Sequence, residues 1–247
     1  MQLKEATVLV VEDEPVLCEI MGAWFERVAG RVLVAGNGAQ ALEVLAANRV
    51  DAVVSDLRMP VMDGITLLKR IKASVQPQPS VTFITGFSDI EPRDAYNMGA
   101  VAVLEKPMDR DELLQIVRRS LMSRAELWRT PMDVEPPVVL RLSFPSLATA
   151  LQEQKITFGR GGLCIATQGV QEGPIGIQIE FKDDKQQLEG NGAVRWTAPA
   201  EGQAGIELLY VAPASREWLA KLVEQEEIAA FIPGSLAGQH TLTAKSA

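Results

Sequence analysis

The strongest constraint on the fold is an alternation. Over about the first 120 residues, short apolar runs rich in β-branched residues trade places five times with stretches of helical period. The runs are Thr7 to Val11, Val32 to Ala35, Ala52 to Asp56, Val81 to Thr85 and Ala102 to Glu105. Between and after them, helices are expected from Pro15, carrying Val16, Leu17, Ile20, Trp24 and Val28, then over Ala39 to Ala47, Ile65 to Ala73, Arg93 to Met98 and Asp111 to Leu121. An unbroken run such as Thr7-Val8-Leu9-Val10-Val11 suits a strand buried on both faces, and this spacing is satisfied by a doubly wound, five-stranded parallel α/β sheet with right-handed crossovers. Gly36, Gly64, Gly86 and Gly99 fall at the joints, where turns and helix caps need them.

Open parallel sheets bind ligands beyond the carboxyl ends of their strands. Glu12 and Asp13 follow the first run, Asp56 ends the third, Thr85 closes the fourth, and Lys106-Pro107 follows the fifth. A lone aspartate at a strand end is better explained as a turn or helix-cap residue, so the set carries the information. Carboxylates brought together raise one another's pKa unless a cation intervenes. Mg²⁺, a hard cation that takes carboxylate, water and phosphate oxygens, suits such a crevice.

A different pattern follows. Thr130 to Pro137 holds three prolines in eight residues, which ends the last helix and makes a stiff connector. The last helix is expected to run on through Arg124 to Trp128, with Leu127 and Trp128 free to pack on the second domain or on a partner chain. Beyond it the period becomes alternating: Val138 to Phe144, Leu163 to Thr167, Ile175 to Phe181, Ala193 to Thr197 and Gly205 to Val211 read as strands, with Leu188 to Trp196 able to form one long hairpin arm. Pro213 opens a helix, Ala214 to Ala230, with Trp218, Leu219, Leu222 and Val223 on one face. This half reads as a small antiparallel β-barrel with a closing helix. The domain reading is 1–125, a linker over 126–137, a barrel over 138–231 and a flexible tail over 232–247.

Charge and residue usage remove several function classes. Net charge is −8, with 14 basic against 17 acidic residues in 1–125 and 10 against 15 in 126–247. Neither half has the basic balance of a phosphate-backbone binder, so no DNA partner is expected. Cys18 and Cys164 lack disulfide or metal spacing and read as packing. His240, the single histidine, lies in the polar tail, so a Ser-His-Asp triad or a histidine-built zinc site is not expected. No apolar run approaches the ~18 residues of a membrane span and no signal peptide is evident; a cytoplasmic location follows.

The segments VLVVEDE, VVSDLRMPVMDG, TFITG and LEKP, in this order over residues 6 to about 122, resemble the receiver domain of two-component response regulators. The resemblance implies phosphorylation of Asp56 by a histidine kinase or a phosphotransfer protein, and Mg²⁺ held by Glu12, Asp13, Asp56 and the backbone carbonyl of Arg58. It implies that Thr85 and Lys106 contact the phosphoryl group, with Thr85 as switch lever, and that the peptide before Pro107 is cis. Elementary chemistry agrees: a carboxylate nucleophile attacks phosphorus in line while cations neutralise the transferring oxygens. Many receivers carry an aromatic two residues before the Glu-Lys-Pro segment; here Val103 stands there, so the aromatic half of the switch is missing.

The order ITFGRGGLCIAT, GPIGIQIEF, LEGNGAVRWTA, QAGIELLYV and a helix is similar to PilZ domains, the bacterial cyclic di-GMP receptors, over most of residues 137 to 230. The ligand motifs depart from that family. Its Arg-x-x-x-Arg pair is absent, and its Asp/Asn-x-Ser-x-x-Gly turn reads Thr157-Phe158-Gly159-Arg160-Gly161-Gly162, leaving Arg141 and Arg160 as the candidate nucleotide contacts. The first reading is a phosphoacceptor signalling protein, not an enzyme beyond its own phosphotransfer and slow self-dephosphorylation, acting on an unknown downstream protein. A cyclic di-GMP receptor and a scaffold that homodimerises through the receiver stand as alternatives.

Overall fold

The apolar runs form β1 (Thr7–Val11), β2 (Arg31–Ala35), β3 (Ala52–Asp56), β4 (Ser80–Thr85) and β5 (Ala102–Glu105), interleaved with α1 (Pro15–Glu26), α2 (Gly38–Ala47), α3 (Gly64–Ser74), α4 (Pro92–Asn97) and α5 (Arg110–Ser120). These come from a computed structural model that describes residues 2–75, 77–86, 89–123, 126, 128–129, 136–224 and 230–236. The chain divides into two units, Met1–Ser123 and Arg124–Ala247.

In the first unit all strands are parallel, in the order β2-β1-β3-β4-β5. Helices cover both faces, which is why the runs are continuous rather than alternating. Leu9, Val53, Val81 and Phe83 pack with Leu67, Leu68 and Ile71 of α3 on one face. Val8, Val10, Val54 and Ile84 pack with Met21 and Phe25 of α1 and Leu113, Leu114 and Val117 of α5 on the other. Helix starts are fixed by side-chain caps: Asn37 accepts from the amides of Ala39 and Gln40, Asp63 from Thr66, and Asp109 from Asp111 and Glu112. The strand ends beside these loops make the crevice. α5 ends at Ser120, and of its expected continuation residues 124, 125 and 127 lie outside the described residues.

The second unit contains β6 (Val139–Phe144), α6 (Leu147–Gln152), β7 (Ile156–Phe158), β8 (Gly162–Ala166), β9 (Gly173–Phe181), β10 (Gln186–Ala198), β11 (Gln203–Val211) and α7 (Pro213–Glu224). They form one sheet in the order β6-β9-β10-β11-β8-β7. It differs from the expected antiparallel barrel. β6 lies parallel to β9, so the sheet is mixed, and among the described residues no ladder joins its edge strands β6 and β7. The crossover of α6, β7 and β8 between β6 and β9 is long enough for the parallel pairing, which a hairpin cannot make. α6 and β7 were not expected, because six and three residues are too few to show a period.

The apolar stripe of α7 is core. Leu219 and Val223 are buried with Ile177, Ile179, Phe181, Leu188 and Ile206, and Trp218 and Leu222 pack against the same cluster. Trp128 belongs there too, 1% exposed, its carbonyl accepting from the Val211 amide at 3.1 Å. The expected linker therefore contributes its Trp128 to the second core, while residues 130–135 lie outside the described residues. The expected tail also begins too early: Ile232, Pro233 and Gly234 are buried. This segment closes over the turn before β8, where the Arg160 amide donates to the Ala230 carbonyl at 3.0 Å and the Gly161 amide to the Phe231 carbonyl at 2.9 Å. A Cβ on Gly161 would stand 2.1 Å from the Phe231 ring, so this turn needs glycine for close approach. Residues 237–247, including His240, lie outside the described residues. Among the described residues no helix is long and apolar enough to cross a membrane.

Candidate functional site

At the carboxyl edge of the parallel sheet, Asp56 ends β3 and is 6% exposed, Glu12 follows β1 and is 2% exposed, and Asp13 beside it is exposed. One oxygen from each of the three carboxylates lies within 4.8 Å of the others. Lys106 reaches in from the end of β5, its Nζ donating to Asp56 Oδ2 at 2.7 Å and to Glu12 Oε2 at 3.0 Å. The Lys106 amide donates to the Thr85 carbonyl at 2.8 Å, tying the ends of β4 and β5, and the peptide to Pro107 is cis. Gly64 is where chain passes chain: a Cβ there would stand 2.4 Å from the Asp56 carbonyl oxygen.

Burial lifts the Glu12 carboxyl above its ordinary range; the Lys106 hydrogen bond opposes this, and the nearby Asp56 charge adds to it. Burial also works against the Lys106 ammonium, but its hydrogen bonds to Asp56 and Glu12 outweigh that and hold its pKa above the usual lysine value. One ammonium thus pairs with two of the three carboxylates. Such a cluster retains the charge and the oxygen donors to take a divalent hard cation. It also presents a carboxylate that could attack an electrophile, with a cation beside it.

The remaining candidates are placed differently. The Thr85 side chain, on a residue 3% exposed, is engaged by the loop after β4: its hydroxyl is 2.8 Å from the Gly86 carbonyl and 3.1 Å from Asp89 Oδ2. The Arg58 amide lies 3.4 Å from Asp56 Oδ1, while its guanidinium forms an ion pair with the other Asp89 oxygen. Sequence reasoning missed Asp89. It follows Thr85 by four residues in a loop with no periodic signal, and only the folded loop brings it to Arg58. In the second unit Arg141 sits on edge strand β6, its Nε donating to Gln178 Oε1 at 3.0 Å on neighbouring β9, and Arg160 sits in the turn between β7 and β8. In strand order these two arginines belong to opposite edges of the sheet. Cys18 and Cys164 are both free thiols; burial first, then the Glu12 charge, push the Cys18 thiol up.

Residues 8–118 match the family model described as the response regulator receiver domain. The first unit is a receiver domain. Relatives of this receiver include the transcriptional regulatory protein GlrR of Escherichia coli K12, 36% identical over 147 residues, which are 58% of this chain and 33% of that protein. The DNA-binding transcriptional regulator NtrC of the same strain is 44% identical over 100 residues, 40% of this chain and 21% of that protein. The chain therefore spans about a third or less of the curated relatives it matches. A solved receiver domain of an HD domain-containing protein from Pseudomonas fluorescens Pf-5 is similar, at 32% identity and a TM-score of 0.45, over 47% of this chain and 94% of that one.

Proposed function

We propose that the protein is a two-component response regulator that accepts a phosphoryl group on Asp56 from a histidine kinase or a phosphotransfer protein. The observation that carries this reading is the placement of the Lys106 ammonium, 2.7 Å from Asp56 and 3.0 Å from Glu12, within a three-carboxylate cluster at the strand ends of a receiver domain.

The donor set suits Mg²⁺, which Glu12, Asp13, Asp56 and the carbonyl of Arg58 would hold. When bound, the ion neutralises the oxygens of the transferring group. The protein's own residues do the rest. An Asp56 carboxylate oxygen forms the new bond to phosphorus as the bond from phosphorus to the donor nitrogen breaks, and the imidazole leaves with the electron pair of that bond. Lys106, now paired with Asp56, moves its charge onto an oxygen of the new phosphoryl dianion, a compact point charge on a flexible stem suited to that transfer. Incubation of the full chain with Mg²⁺ and a small phosphodonor should label it at Asp56. Asp56→Asn should abolish the label, and labelling that survives the substitution refutes the reading.

For the second unit we favour output through protein contact over nucleotide binding. The Arg141 guanidinium already donates to Gln178, and the turn bearing Arg160 is covered by Ala230 and Phe231, which take up two of its backbone donors. A PilZ-like unit with these departures would show no heat with cyclic di-GMP at high micromolar concentration in calorimetry. Binding under those conditions would restore the receptor alternative. Light scattering of labelled and unlabelled protein would separate a phosphorylation-dependent homodimer from a monomer that changes its partner.

A further inference from the structure

We infer that Asp89 and Arg58 form a latch that withholds Thr85 from the phosphoryl site until the latch opens. This rests on Asp56 being the phosphoacceptor, and it adds two residues that the receiver's site chemistry does not require.

A threonine hydroxyl has a single proton to donate. In this structure that proton faces two acceptors of the loop after β4, the Gly86 carbonyl at 2.8 Å and Asp89 Oδ2 at 3.1 Å. To reach a phosphoryl oxygen on Asp56 the hydroxyl must give up both. The carboxylate is the stronger competitor, because hydrogen bonds to ionised groups exceed neutral ones. Asp89 is itself held: its other oxygen pairs with the Arg58 guanidinium, from the loop that follows Asp56.

The bridge joins the loops after β3 and β4, the two loops flanking the acceptor. Both residues line an open groove of about 490 Å³ together with Leu57, Met59, Asp63 and Ile65, so Asp89 has space beside it. The Arg58 side chain is 76% exposed, and rupture of the pair would leave its guanidinium in water. A contact that solvent can replace on one side and that restrains a switch on the other is suited to opening. Apparent affinity for a phosphoryl group is then the intrinsic affinity multiplied by the fraction of molecules in which Thr85 is free.

The test is a double-mutant cycle on the full chain, with beryllofluoride plus Mg²⁺ as phosphoryl analogue and binding read by titration. Asp89→Ala should tighten apparent binding on the order of ten-fold, the equivalent of one charge-assisted hydrogen bond. Arg58→Ala, which truncates an exposed side chain and keeps the backbone carbonyl, should tighten it by a smaller factor. In a Thr85→Ala background both gains should vanish. If Asp89→Ala tightens binding equally without Thr85, the effect is only removal of a negative charge, and the latch is refuted; no gain in either single variant also refutes it. Failure of the parent reading looks different: wild type and all variants would ignore beryllofluoride. The latch would then stand or fall on whether Arg58→Ala shifts the Thr85 methyl resonance of the untreated protein.

Discussion

Removing the Lys106 ammonium while keeping most of its stem, as in Lys106→Met, is the sharpest perturbation of the cluster. The variant loses two charge-assisted hydrogen bonds, of 2.7 and 3.0 Å, to side chains only 9% and 1% exposed. Deleting one partner of a buried ion pair costs about 3–5 kcal/mol, because the other charge is left uncompensated. The Lys106 side chain is 28% exposed, so solvent already screens part of the attraction, which lowers the expectation to about 2–3 kcal/mol. For a unit of this size that is roughly a 10 °C fall in its transition. Trp24 in α1 is the tryptophan of the first unit and reports that transition.

The pH dependence makes the prediction specific. The raised pKa of Lys106 means that the wild-type stabilisation is fully present below the ordinary lysine value and is lost only as pH rises through the folded value. It is therefore constant across neutrality. In Lys106→Met the burial of Glu12 and its repulsion by Asp56 are no longer opposed by the ammonium, and only the hydrogen bond from the Glu14 amide still works against them. A carboxyl whose folded pKa is raised binds its proton more tightly in the folded state, so stability falls as pH rises from the ordinary value of 4.5 through the folded one. The deficit should be small in acid, grow through that window and level off above it. Mg²⁺ at about 100 times its dissociation constant should return about 2.7 kcal/mol, since it binds the folded cluster and not the unfolded chain. A deficit of equal size at acid and neutral pH, or a variant whose own stability Mg²⁺ leaves unchanged, would refute the electrostatic account of the site.

Three further outcomes follow from single contacts. Gly64→Ala forces a Cβ to within 2.4 Å of the Asp56 carbonyl oxygen, so the rate of Asp56 labelling by a small phosphodonor should fall at least about ten-fold, while Gly22→Ala, whose Cβ meets nothing closer than 3.8 Å, should leave it unchanged. Trp128→Ala should destabilise the second unit by about 3–5 kcal/mol in chemical denaturation and leave the Trp24 transition alone; a chain begun at Val138 should show the same loss against one begun at Arg124. Gly161→Ala displaces the Phe231 ring, so the second unit should lose about 1–3 kcal/mol and segment 230–236 should be cut faster by protease.

The parallel sheet was legible because burial on both faces writes itself into every strand as an unbroken apolar run, and connection rules then leave few topologies; the strand order itself comes from the structure. The cluster of Glu12, Asp13, Asp56 and Lys106 was legible for a related reason: each lies at a strand end, and strand ends in this topology meet. The second unit was harder to read. Its long strands alternate visibly, but the parallel pairing of β6 with β9 is a relation between residues 37 apart, Val139 with Gly176, which no local period encodes. The segment Ala230 to Leu236 contains glycine, proline and serine, a composition shared by loose tails and by tight closures over glycine turns. Only the turn's own glycines, Gly159 to Gly162, hinted that another backbone comes close.

The contrast extends to the site itself. Local rules are satisfied throughout the sheet and broken at its carboxyl edge, where a buried Glu12 is held near Asp56 with one ammonium between them. A fold selected for stability alone would neutralise Glu12 or fill its place with an apolar side chain, since a buried charge cluster is weak as a stabilising device. A divalent cation held by the three carboxylates would supply the charge that one ammonium leaves unmatched. The same inference reaches Asp89, and there it fails from sequence for a physical reason: Asp89 is not buried among like charges, its pairing with Arg58 is made across two loops, and its importance depends on which hydroxyl its second oxygen holds. Charge excess at strand ends can be read from residue order, whereas competition for a single proton requires the positions of both acceptors.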